Sequence, residues 1–118
     1  MKKLVLSALT VIALAGCATL PPPNEEIDAA KVALDRAINA DATQLAPATL
    51  AEARGYYEQA DAALKKGNDS DARPLLLRAA AAADLAYAQA IAQVKANEAE
   101  ARVKQLAELR AKLEGGTP

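Results

Sequence analysis

The chain contains no histidine, no tryptophan and no phenylalanine, and its one cysteine is Cys17. Without imidazoles and with a single thiol, zinc-type metal sites and His-based catalysis are excluded by inventory. An internal disulfide is excluded as well, and no residue pattern calls for a cofactor. Aromatics amount to 3% of the chain although hydrophobic residues reach 53%, so the apolar content is mostly alanine. Alanine buries little area, and at about 25 cal/mol per Å² such a core is thin. Stability then has to come from many short contacts between close backbones and from alanine's helix propensity, the highest of any residue. Over 118 residues this composition describes one small, extended, all-helical domain.

Charge is balanced. The full chain carries −1, and removing Lys2 and Lys3 with a leader leaves 12 basic residues against 15 acidic, or −3. The two signs are interspersed and no cationic stripe accumulates, so nucleic acid is not an expected partner.

Residues 1–16 have the three parts of an export signal in order. Lys2 and Lys3 form the positive start, residues 4–14 form the apolar stretch, and Ala15 and Gly16 are the small residues before a processing site. The apolar stretch is shorter than the roughly 20 residues of a spanning helix. An uncleaved membrane anchor over residues 4–20 is the competing reading. Leu14, Ala15, Gly16 and Cys17 resemble the lipobox of exported bacterial lipoproteins. That resemblance implies a diacylglyceryl group on the Cys17 thiol, cleavage before it, and acylation of the new N-terminus. Several acyl chains hold a protein at a bilayer where one does so marginally. Ala18 stands where an Asp marks inner-membrane retention in such lipoproteins, which implies the outer membrane, facing the periplasm. Residues 17–23, ending in Pro21, Pro22 and Pro23, read as a stiff extended tether.

From residue 24 to 114 the punctuation predicts three helices. Asn24 is a suitable N-cap before Glu25 and Glu26, and Ile27, Ala30, Leu34, Ala37 and Ile38 form one face. Residues 41–46 break the pattern. Pro47 suits a first helical position, and Leu50, Ala53, Tyr57, Ala60 and Leu64 form a heptad-type seam. Gly67 is a natural stop. Gly55, inside this helix, marks either a close backbone approach or tolerated variation. Asn68, Asp69 or Asp71 can cap a third helix over residues 71–114, about 65 Å long, with Pro74 comfortable only near its start. Its inner face would be Leu76, Ala79, Ala83, Ala86, Ala90 and Val94. Beyond Val94 charged residues crowd the surface around a narrow line of Ala99, Val103, Leu106 and Leu113, with Arg110 interrupting it. Short connections favour antiparallel neighbours. The expected fold is an antiparallel three-helix bundle with a long protruding C-terminal helix, one half of a weak coiled coil, and a disordered tail at 115–118.

Little in this body points to chemistry. Glu25 with Glu26, Asp69 with Asp71, and Glu98 with Glu100 stand one or two residues apart, which on a helix puts them on different faces. Tyr57 and Tyr87 are expected as core fillers and Tyr56 as an exposed contact residue. The pattern from Tyr57 through Gly67 to Ala72 is shared with tetratricopeptide repeats, but no second copy follows at their period of about 34 residues.

Over residues 27–106 the chain resembles a family of short alanine-rich bacterial lipoprotein domains of unknown function. The resemblance rests on Ala46-Pro47 entering a helix, Leu50 with Ala53, Leu64 with Gly67, and Ala72 before an alanine-rich helix. Members are sometimes followed by an OmpA-like peptidoglycan-binding domain. The sequence ends at Gly115-Gly116-Thr117-Pro118, so that activity is not carried over. The expected function is therefore a non-enzymatic, lipid-anchored envelope protein. Its contact surface would be Ala99, Val103, Leu106 and Leu113, serving a protein partner or self-association. A structural spacer associated with peptidoglycan is the second expectation.

Overall fold

A computed structural model describes residues 20–116. The expected leader and lipobox, with Leu14, Ala15, Gly16 and Cys17, lie outside the described residues. Helix accounts for 89% of what is described, with no strand, so packing is helix against helix throughout. The elements are α1 (Asn24–Asn39), α2 (Ala42–Leu45), α3 (Pro47–Lys65) and α4 (Asp69–Gly115).

α4 is the spine. At 47 residues it is about 70 Å long, and α1 and α3 both lie along its first half while meeting each other only briefly. Glu26 meets Arg73 and Arg36 meets Asp84, so α1 ascends beside α4 in the same direction. Thr49 faces Gln89, and Ala60 packs with Leu76 and Ala79, so α3 descends. Among the described residues, twelve of the fourteen buried hydrophobic ones are alanines; the others are Leu50 and Leu76. Ala79, Ala83, Ala86 and Ala90 of α4 meet Ala30, Ala33 and Ala37 of α1 and Ala53 and Ala60 of α3. Methyl groups facing methyl groups let the helix axes approach closely, which brings backbone atoms into dispersion contact that long side chains would prevent. By length and composition alone α4 is apolar enough to cross a membrane, but its alanine face is the one that α1 and α3 cover.

The helix ends follow local rules, with differences from the sequence expectation. Asn24 is not the cap: Pro23 holds that position, fully buried, and Asn24 begins the helix. The break at 41–46 contains a turn of helix, α2. It is entered through Asp41 at φ 61, a conformation that Asp tolerates better than most residues. Ala42 and Ala46 thereby reach the core. Pro47 opens α3 as expected. α3 closes with Gly67 at φ 75, whose N–H donates to the Leu64 carbonyl while the Asn68 N–H donates to that of Ala63. This is the paired Schellman closure. In the last turn of α3, Asp61 holds the Lys65 ammonium at 2.6 Å; the hydrogen bond and then the charge raise its pKa above the usual lysine value. α4 starts at Asp69 behind Asn68, which makes no side-chain cap, and absorbs Pro74 beyond its first turn. The carbonyl that Pro74 leaves without an N–H partner belongs to Ser70, which is exposed. α4 also includes Gly115, so the tail begins later than expected.

Two of the expected core positions are more open than foreseen: Ile38 and Val94 are exposed. Tyr56, expected on the surface, is half-buried and packs with Tyr57 against Ala30, Ala60, Leu76 and Ala79. A Cβ on Gly55 would meet nothing within 4 Å, so no close approach requires glycine there.

Three substitutions follow in chemical denaturation. Gly55→Ala should stabilise the fold by about 0.5–1 kcal/mol, whereas Gly67→Ala, at a left-handed φ, should destabilise it by about 1–2 kcal/mol. Ala86→Leu should cost about 1–3 kcal/mol despite its added apolar area, because the position is fully buried among Ala37, Ala42, Ala46 and Leu50.

Candidate functional site

Every residue from 92 to 116 is exposed. α1 ends at Asn39 and α3 begins at Pro47, both level with the middle of α4, so nothing remains to cover its distal arm. Of the expected contact residues, Ala99, Val103, Leu106 and Leu113 all lie on this arm, Val103 65% and Leu113 68% exposed. The sequence reading left a gap at Arg110. Beside that gap Leu109, three residues after Leu106 and four before Leu113, is 54% exposed. At about 100° per residue Leu109 stands roughly 60° from Leu106 and 40° from Leu113, so it borders the line on one side and widens the apolar face.

This line is not a continuation of the core face. Ala99 is sixteen residues beyond Ala83, which at about 100° per residue places it roughly 160° around the helix. The apolar line also extends backward along the outside of the body. Leu77, Ala81, Leu85, Ala88, Ala92, Ala96, Ala99 and Val103 follow one another at steps of 4, 4 and 3 residues, and all are exposed. A 4-4-3 spacing is an eleven-residue repeat, 3.67 residues per turn, close to the period of an untwisted helix. α4 therefore carries two apolar faces on opposite sides, one covered by α1 and α3 and one bare.

The other end of the body receives the tether. Arg73, at the base of α4, pairs with the Glu26 carboxylate and donates to the Pro21 carbonyl. Pro23 is buried beneath. Residues 21–23, the end of the expected tether, are thus held against the body. Sequence reading passed over Arg73 because its two partners are about fifty residues away. A groove of about 530 Å³ runs between α1 and α4, lined by Val32, Asp35, Arg36, Asn39, Ala40, Tyr87 and Ile91. Its guanidinium is already engaged: Arg36 pairs with Asp84 and lies 4.8 Å from the Tyr87 ring centroid. Among the described residues no group of acidic or thiol side chains could hold a metal ion, and none of the side chains buried in the core is polar.

The fold and these surfaces define a small all-helical domain with a bare distal arm. A family model described as a domain of unknown function (DUF4398) matches residues 25–106, more than half of the chain, and the chain belongs to that family. No curated protein and no solved structure matches it. The family's pattern runs twelve residues past Val94, so the start of the distal arm is part of the shared domain.

The two arginine pairs differ in shielding, 20% and 23% side-chain exposure for Arg73 with Glu26 against 52% and 54% for Arg36 with Asp84. Arg73→Ala should therefore cost about 2 kcal/mol in urea unfolding and open residues 20–23 to limited proteolysis. Arg36→Ala should cost less than about 1 kcal/mol.

Proposed function

We propose that the chain is a non-enzymatic lipoprotein of a bacterial envelope, anchored through Cys17 and presenting the distal arm of α4 as an interaction surface. The body is read as an antiparallel three-helix bundle, with α1 ascending and α3 descending along the same stretch of α4. The membrane is the outer one, and the arm faces the periplasm. One observation carries this reading: the tether and the bare arm are at opposite ends of a single rigid helix. Residues 21–23 dock beside Arg73, and Leu113 lies forty residues further along α4, about 60 Å away. An acyl group on Cys17 would hold the base of α4 near the lipid and point the arm outward.

The length of α4 also favours the second reading, a spacer that touches peptidoglycan. Co-sedimentation with purified peptidoglycan separates the two: retention at moderate salt supports the spacer, and its absence rules out direct wall contact. Absence of enzymatic activity is part of the proposal. The carboxylates that are neighbours in sequence sit on different faces, and the groove beside Tyr87 is open with its arginine engaged.

The anchor is tested by intact mass and detergent partitioning of the protein from a bacterial host, beside Cys17→Ser. The expected species begins at residue 17, carries acyl groups and partitions into detergent. An unmodified chain beginning at Met1 would overturn the reading.

A further inference from the structure

We propose that two copies of this chain pair in parallel and in register through the distal arm of α4, forming a short two-stranded coiled coil. The proposal rests on the reading of the arm as an interaction surface, and it names the occupant. The bare line of α4 settles into a heptad over residues 92–113, three repeats, near the minimum for a coiled coil. Ala92, Ala99, Leu106 and Leu113 take d positions; Ala96, Val103 and Arg110 take a positions.

The flanking charges choose the occupant and its direction. Lys95 and Arg102 fall at g, on one edge of the line, and Glu100 falls at e, on the other. In a parallel pair each g residue faces the e residue five positions further along the partner. Lys95 of each copy then meets Glu100 of the other, twice by symmetry. An antiparallel pair would set g against g and bring the basic edges together. Glu100 is held only by Lys104 on its own helix, at 2.8 Å with both side chains largely exposed, a weak tie that leaves it available. Arg110 at a single a position favours two strands over more, at a cost in stability.

The body does not obstruct this pairing. α1 and α3 lie on the opposite side of α4, so two copies can meet along the bare face with their bundles outward. With alanine at three of the seven seam positions the association is weak and concentration-dependent. Confinement of both copies to one membrane would raise it by effective concentration alone.

The test uses the full chain carrying Cys17→Ser, purified in mild detergent, so that the introduced thiol is the only one and the lipid anchor plays no part. In parallel register, Leu106→Cys meets its own copy and should form an interchain disulfide under mild oxidant. Glu108→Cys, about 200° away around the helix, should remain monomeric. Lys95→Glu should slow the Leu106→Cys cross-link by about fivefold, a change on the order of an exposed charge pair. Adding Glu100→Lys should restore it. Leu106→Cys that stays monomeric, cross-linking that is equal at 106 and 108, or Lys95→Glu that speeds the reaction would each overturn the proposal. The last outcome would signal antiparallel pairing. Because all variants lack Cys17, such failures leave the anchored reading to its own mass measurement.

Discussion

The contact between alanine faces along α4 sets the spacing of everything else in the molecule. Ala79, Ala83, Ala86 and Ala90 present only methyl groups to α1 and α3, and the facing positions on those helices are again mainly alanine. Each methyl removes little area from water. The gain is spread over many shallow contacts, including backbone atoms that larger side chains would hold apart. Such a seam tolerates neither larger residues nor much wobble. It fixes α1 and α3 on one side of α4 and leaves the other side bare.

That one-sidedness gives the molecule its polarity. α1 and α3 are short, and α4 outruns them by residues 92–115. The tether is held at the base by Arg73, and the arm leaves from the other end. In the proposed lipid-anchored form, the apolar line would be carried outward on a single helix. The line shows a change of period, eleven-residue spacing beside the body and heptad spacing beyond Ala92. A lone straight helix has no use for the second period, whereas a supercoiled pair does.

Much of this was legible in the residues. Gly67 and Pro47 marked the ends of α3 because their backbone preferences are local and strong. Leu50, Ala53 and Ala60, and on α4 the run from Leu76 to Ala90, stood at core spacing and are buried. Ala33, Ala42 and Ala46 were missed because alanine looks the same in a core, on a surface and in a loop. α2 was missed because one turn of helix leaves no periodicity. Leu109 was missed because it borders the apolar line instead of lying on it. Arg73 and Pro23 could not be found from local pattern, since their roles depend on contacts made across the whole body. Ile38 and Val94 were placed inside because they are large and apolar; Val94 lies beyond the reach of α1 and α3, and Ile38 stands about 100° around α1 from buried Ala37, off the covered face.

Hydrogen exchange along α4, followed as a function of protein concentration, tests the central claim most directly: one covered face, one bare face, and an arm that is covered only by a second copy. The account predicts amides at 72–90 that are slow at every concentration, and amides beyond Val94 that are fast in dilute solution and slow as concentration rises. An arm protected to the same degree at all concentrations would contradict it, as would rapid exchange throughout 72–90.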